Sequence, residues 1–317
     1  MIKSKTARNP LKHISPGNLY ERINQFMAGM SVTKGSFELL VERCTLVDIE
    51  WNHMDQQHRP SIHNTYEKGL RIALGSDFAI SLTQWAKWPF FITVTDVYVD
   101  RGLFYQSLTL AGIIFIHSVI SMEERNDSVL LKHEWYMASH KFFRFLHKPI
   151  DKKLLKLNVR LQQEDEQLRQ GRFELRQQGF TFRSDPPNYN SSNTMSANTI
   201  YPQLDLESFF SVDDVTSESF KKVGKLEFIV KKDESGSYLI WPAVCPHEGG
   251  PLKQGKICNT HIICPWHSLR FAPVKLSCDA TFGAKYGFEY MLMQNKVYVK
   301  QMEYEVKVCE ELLVPAD

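Results

Sequence analysis

The chain has 317 residues, 43% hydrophobic and 23% charged, an ordinary folded composition long enough for two domains with separate cores. Its formal net charge of +2 is too small to argue for a nucleic-acid partner, and no lysine or arginine block resembles a recognition arm. Six cysteines are too few for a disulfide framework at this length, and the basic MIKSKTARNPLKH start lacks the apolar core of a secretory signal, so a cytoplasmic, reducing location is expected.

The first periodic segment is Asn18 to Ala28, where Leu19, Ile23, Phe26 and Met27 fall at helical spacing. Phe90 to Val99 is β-branched and aromatic, Asp100-Arg101-Gly102 is turn chemistry, and Leu103 to Leu110 reads as the hairpin partner. A further strand is expected over Gly112 to Ser121, a turn at Glu123 to Asp127, and another strand over Ser128 to Tyr136. The apolar run from Leu103 to Ile120 is interrupted by Gln106, Ser107, Thr109, His117 and Ser118, so it predicts buried strand and no membrane span. From Lys152 to Gln178 the pattern turns helical, with Leu154, Leu155, Leu161, Leu168 and Leu175 among charges and Gly179 as the stop. An antiparallel sheet with a long terminal helix is an α+β domain.

Apolar periodicity disappears between Arg183 and Ile200, where Ser, Asn and Pro dominate. This divides the chain into a first domain over 1–183, a linker over 184–199 and a second domain over 200–317. The second is strand-rich, with strands expected at Lys225 to Lys231, Tyr238 to Ala243, Tyr286 to Met293 and Lys296 to Gln301, so it reads as a small all-β domain.

That domain contains C-P-H-E-G-G-P-L and, further on, C-P-W-H-S-L-R-F, presenting Cys245, His247, Cys264 and His267 from two loops. Two thiolates and two neutral imidazoles suit a [2Fe–2S] centre in which imidazoles on one iron reduce the negative charge and raise the potential. A tetrahedral Cys2His2 zinc site is the rival, but zinc fingers pair Cys with Cys and His with His along the chain, whereas each loop here supplies one of each. Cys44, Cys258, Cys278 and Cys309 lie outside the pattern and read as small buried hydrophobes.

The two loops resemble the C-x-H and C-x-x-H signature of Rieske domains, and specifically those of ring-hydroxylating oxygenases. The resemblance implies that Cys245 and Cys264 bind one iron and His247 and His267 the other. Respiratory Rieske proteins add a loop disulfide, for which Glu248 to Gly250 and Trp266 supply no cysteine, so the oxygenase or ferredoxin type is implied. Ser268 departs from the glycine usual in the oxygenases.

In the first domain, Asn52, Asp55, His58 and His63 stand in the pattern N-x2-D-x2-H-x4-H. Two imidazoles and one carboxylate on one face of a metal leave open positions, as non-haem Fe(II) requires to bind O2. A kink at Pro60 is expected to bring His58 and His63 together. The stretch resembles the D-x2-H-x4-H segment of Rieske oxygenases, which implies that Asp55 bridges a cluster histidine to an iron-bound one and that Asp165, in Glu164-Asp165, is the third ligand. His13, His53, His117, His133, His140 and His147 read as ordinary polar residues. Trp51, Phe90, Phe91, Phe104 and Phe142 read as aromatic core more readily than as pocket lining.

By resemblance, residues 15–183 form a helix-grip, START-like domain, placed before the Rieske domain although the familiar oxygenases have the reverse order. The function implied is a Rieske oxygenase component with a [2Fe–2S] cluster and a mononuclear Fe(II). It would activate O2 against an apolar aromatic, lipid or steroid-like substrate and receive electrons from a separate NAD(P)H-dependent flavin or ferredoxin reductase, since no G-x-G-x-x-G opens a helix here. A homo-oligomer fits this expectation. The alternative is a non-catalytic electron carrier fused to an apolar-ligand-binding domain.

Overall fold

The computed structural model describes residues 16–85, 91–185, 197–205, 208–258, 260–277 and 280–302, in two compact units. Residues 1–56 with 65–163 form the first, and residues 57–64 with 164–317 the second. This differs from a division at 183: the segment carrying His58 and His63, and the chain from Glu164 onward, belong with the second unit.

The first unit opens with α1 (Pro16–Phe26), which buries Leu19 and Ile23, with Met27 just after its end, against Val119, Tyr136 and Ala138, while Phe26 remains 49% exposed. A seven-stranded antiparallel sheet follows, comprising β1 (Ser31–Glu42), β2 (Tyr66–Leu74), β3 (Phe78–Trp85), β4 (Phe91–Asp100), β5 (Leu103–Leu110), β6 (Ile114–Arg125) and β7 (Ser128–Ser139). Strands β2 to β7 meander in order and β1 closes on β7. Short hairpins favour this arrangement because antiparallel neighbours need only two or three connecting residues. The turn expected over Glu123 to Asp127 is tighter: β6 runs on to Arg125, and Asn126, at φ 56°, turns with Asp127 into β7. Asn tolerates the left-handed region that such a turn requires.

Between β1 and β2 lies α2 (Leu46–Met54), which the sequence pattern did not reveal because eight of its nine residues are buried and polar residues stand among the apolar ones. Thr45 caps it, accepting from the Asp48 N–H at 3.3 Å. Buried Glu50 in turn accepts the Gly102 N–H at 2.7 Å, and a Cβ at Gly102, which has φ 69°, would come within 2.7 Å of the Met122 carbonyl oxygen. Burial raises the Glu50 pKa, opposed by that hydrogen bond.

The terminal helix starts earlier than expected, as α4 (His147–Glu164), anchored by Trp135 Nε1 donating to Asp151 Oδ1 at 2.8 Å and by Leu154 in a cluster with Ile114, Ile116 and Met137. Sheet and final helix make the helix-grip arrangement of an α+β fold. The continuous helix expected over Lys152 to Gln178 is in fact broken at Asp165, after which the helix Glu166–Gln177 runs to the expected end at Gly179. Leu155 is exposed while Leu168 and Leu175 are buried. Trp51 and Phe104 are core, whereas Phe142 is 72% exposed and Phe91 57% exposed, so neither belongs to the core expected for them.

In the second unit, His58 and His63 flank a single helical turn, α3 (Arg59–Ile62), and the helix Glu166–Gln177 is α5. The rest is short antiparallel strands. Thr181–Phe182 pairs with Thr199–Ile200, so the ends of the expected linker are structured; its residues 186–196 lie outside the described ones. One four-stranded sheet joins Ser208–Ser211, Lys296–Gln301, Phe288–Met293 and Phe282–Lys285, and another joins Glu218–Val223, Leu226–Lys232, Tyr238–Pro242 and Val274–Leu276. Their core stacks Phe228 edge-on to Phe288 and Tyr290 at centroid distances of 5.4 and 5.9 Å. A third, small sheet of Lys256–Cys258, His261–Ile263 and Arg270–Phe271 carries the second cysteine–histidine loop. Among the described residues, no helix is long and apolar enough to cross a membrane.

Candidate functional site

The first cysteine–histidine loop leaves the strand Tyr238–Pro242 and closes on itself through the Val244–Pro251 bridge, with Cys245 N–H donating to the Gly250 carbonyl at 2.7 Å. The second spans the turn between His261–Ile263 and Arg270–Phe271, closed by Cys264 N–H to Leu269 O at 2.8 Å and Ser268 N–H to Cys264 O at 2.9 Å. Closing each loop on its own backbone fixes where the side chains at its tip point. Cys245 and Cys264 are fully buried and hydrogen-bonded to each other, and the His247 and His267 rings meet edge-on at 4.8 Å.

All four donors therefore converge, and their electrostatics fit a bound cationic centre. Burial pushes the Cys245 thiol well up; Cys264 is as deeply buried, but hydrogen bonds from Cys245 and His267 outweigh that and hold it down to about 5. Two thiols this close share one negative charge, and a metal centre is what lets both ionise. The His247 and Glu248 N–H groups point at the Cys245 sulfur and the Trp266 N–H at that of Cys264, the hydrogen bonds by which a protein tunes an iron–sulfur potential. A Cβ at Gly250 would come within 2.7 Å of Cys264 Sγ, so the cradle admits only glycine there. Ser268 sits at φ 55°, which accounts for the glycine that the resemblance leads one to expect.

Behind the first loop, Glu248 is fully buried and fully engaged. Its carboxylate accepts from Arg172 Nη1 at 3.1 Å, Ser184 Oγ at 2.5 Å and Asn198 Nδ2 at 2.7 Å, while Arg172 also donates to Asp185 at 2.7 Å and lies over the Phe182 ring at 3.7 Å. Sequence reasoning missed this network. Glu248 adjoins a ligand, but nothing local marks its partners, which lie 50 to 76 residues away.

A second group of donors forms at His58, His63 and Asp165, all buried, with ligand atoms within 4.8 Å of one another. Asp165 Oδ1 lies 3.2 Å from His58 Nε2 and 3.1 Å from His63 Nε2. Donors held about 2.1 Å from one cation at right angles lie about 3 Å apart, so the spacing fits a metal. The histidines meet differently from the expected kink: Pro60 occupies the first turn of α3, where its missing N–H costs nothing, and His58 and His63 cap its two ends. The break between α4 and α5 falls on Asp165 itself. Burial raises the Asp165 carboxyl, but hydrogen bonds and charge from His58 and His63 prevail and hold it well below its ordinary range.

Glu164 Oε2 is 3.0 Å from His63 Nδ1, so a carboxylate holds the proton on that nitrogen and Nε2 is the ring atom turned to Asp165. Arg169 Nη2 donates to Asp165 Oδ2 at 3.4 Å. Ser61, between the two histidines, is hydrogen-bonded at 3.0 Å to Ser268, the residue after His267. Asp55 is buried at the C-terminal end of α2, its N–H donating to Trp51 O at 2.8 Å; it and buried Asn52 belong to the first unit. Cys44 is buried as expected and Cys258 is half-buried, whereas His13, Phe90, Cys278 and Cys309 lie outside the described residues.

The first unit also holds an apolar cavity of about 480 Å3, lined by residues including Phe91, Ile92, Ile114, Leu146, Ile150 and Leu154. Its size suits a small apolar ligand.

Residues 209–282 match the Rieske [2Fe–2S] domain. The match includes all four residues Cys245, His247, Cys264 and His267, and such a domain is an iron–sulfur electron-transfer module. No curated protein matches the chain. Among solved structures, the chain is similar to truncated norcoclaurine synthase from Thalictrum flavum at 16% identity and a TM-score of 0.37, over 44% of this chain and 95% of that one. It is also similar to the Thermus thermophilus protein TTHA0849 at 11% identity and a TM-score of 0.34, over 43% of this chain and 96% of that one. The quaternary ammonium Rieske monooxygenase CntA is similar at 12% identity and a TM-score of 0.34, over 50% of this chain and 43% of that one.

Proposed function

We propose that this protein is the oxygenase component of a Rieske non-haem iron system acting on an apolar small molecule, with a separate NAD(P)H-dependent flavin or ferredoxin reductase as its electron donor and O2 as co-substrate. The observation that carries the proposal is the convergence of His58, His63 and Asp165 in the compact unit that also holds the four Rieske donors. A [2Fe–2S] cluster supplies single electrons, and Fe(II) at a two-histidine, one-carboxylate site supplies O2 activation.

The chain's own residues prepare for that chemistry. His58 and His63 present Nε2 and Asp165 presents Oδ1, three donors that leave positions for small molecules. Glu164 holds the His63 tautomer, and Arg169 Nη2 orients the Asp165 carboxylate through Oδ2. The Ser61–Ser268 hydrogen bond supports electron supply within one chain, since it ties the His58–His63 segment to the residue beside His267. Asp55 takes the bridging role that the resemblance implies. The cavity of the first unit supports an apolar substrate class, with hydroxylation, demethylation and desaturation as the outcomes open to such chemistry.

Metal analysis tests this. The purified protein is expected to hold about three irons per chain, two of them in the cluster, and the double variant His58→Ala/His63→Ala about two with its visible cluster absorption intact. Two irons in the parent, a count untouched by the substitution, or zinc at the second site would sink the oxygenase and favour an electron carrier joined to a ligand-binding domain.

A further inference from the structure

Between β7 and the middle of α4 the chain builds a surface that the oxygenase chemistry does not use. Residues Lys141–Leu146 form a 3₁₀ turn leading into α4. Side chains three apart eclipse in such a turn, so Phe142 and Phe145 share one face, and they stand 72% and 68% exposed. Phe143 meets Phe142 edge-on at 5.1 Å and Phe145 meets it at 6.4 Å, so the rings form one exposed aromatic cluster.

The charges beside this cluster are of one sign. Lys141, Arg144, Lys148, Lys152, Lys153 and Lys156 are all exposed, and Lys148, Lys152 and Lys156 make a stripe at four-residue spacing along α4. The single acid in the segment, Asp151, is engaged by the indole N–H of buried Trp135. In a chain whose net charge is only +2, six cations within sixteen residues are a local concentration. The cavity of about 480 Å3 is lined by residues of this same segment, Leu146, Ile150, Lys153 and Leu154, and by solvent-exposed Phe91 and Ile113 at its opening.

We propose that residues 141–156 dock the protein on an anionic bilayer surface, Phe142 and Phe145 entering the headgroup boundary and the lysines meeting lipid phosphates. Aromatic rings carried on a basic helical segment are the composition that lies in an interface plane, and the charge complementarity selects an anionic leaflet over a zwitterionic one. The opening beside the docked segment then faces the source of apolar ligands. This inference stands on the first unit alone and does not depend on the iron chemistry.

Cosedimentation of the full-length, cluster-loaded protein tests it, with vesicles of phosphatidylcholine alone and of phosphatidylcholine mixed with phosphatidylglycerol. The parent should bind the mixed vesicles at least about tenfold better, and the preference should weaken as salt is raised. Phe142→Ser/Phe145→Ser and Lys148→Gln/Lys152→Gln should each lose about tenfold in binding, with melting temperature and cluster absorption unchanged because the replaced side chains are exposed. Equal binding to both vesicle types, no binding by the parent, or double variants that sediment like the parent would overturn the proposal.

Discussion

The two candidate metal centres are built by opposite means. The four Rieske donors lie within 23 residues, on two loops that each close on their own backbone, so one small domain positions them. The three donors of the other centre come from both ends of a one-turn helix and from a helix break about a hundred residues later. A locally encoded site tolerates change elsewhere in the chain. A site assembled at long range depends on whatever holds its pieces together, here the helix α5 with its buried Arg169 and Arg172.

The largest expected effect breaks the local centre alone. Cys264→Ser should abolish the visible Rieske absorption and its electron paramagnetic resonance signal and lower the iron content by about two per chain, leaving the iron that the His58 and His63 substitutions remove. A colourless parent containing zinc would refute the cluster outright. Next, Arg172→Met leaves the fully buried Glu248 carboxylate without its cation, which should cost about 3–5 kcal/mol and lower the melting temperature by several degrees. If α5 ties the two centres together, the same variant should also loosen iron at the Asp165 site; a destabilised protein with full iron would show that the link is only structural.

The smallest effect separates the first unit from both centres. His133 is buried against Phe37 and Trp135, and burial lowers its pKa to about 4. The unfolded chain, with an ordinary pKa near 6.5, then binds a proton that the folded one refuses between those values, so stability is present above about pH 6.5 and lost as pH falls toward 4. His133→Phe should remove that loss, sparing about 1 kcal/mol at pH 5.5 relative to pH 7, as read by denaturant melts at the two values, with iron content unchanged. A parallel fall in parent and variant would assign the acid sensitivity elsewhere.

Legibility followed the same division. The hairpin strand Leu103–Leu110, the strand Lys296–Gln301 and the helix stop at Gly179 could be read because alternation and turn residues act over a few positions. The helix α2 escaped because burial all round erases amphipathic periodicity, and β1 is cut off along the chain from the rest of the sheet by α2 and α3, although Gly75-Ser76-Asp77 does mark the turn from β2 to β3. The break at Asp165 also escaped: its backbone stays close to helical, at φ −73° and ψ −16°, so no proline or glycine announces it. At the cluster, the spacing of the ligands showed in the sequence while their buried support did not, since Arg172, Ser184 and Asn198 reach Glu248 only through folding.

The anchoring of Glu248 has a consequence for dissecting the molecule. A fragment beginning at residue 200 would carry every cluster donor and the whole matched Rieske segment, yet it would strip that carboxylate of its guanidinium, its hydroxyl and its amide at once. The smallest autonomous piece is therefore longer than the family match suggests. A piece that keeps these three partners must begin before Arg172, and a fragment cut near Glu164 should keep its colour under conditions that bleach the shorter one.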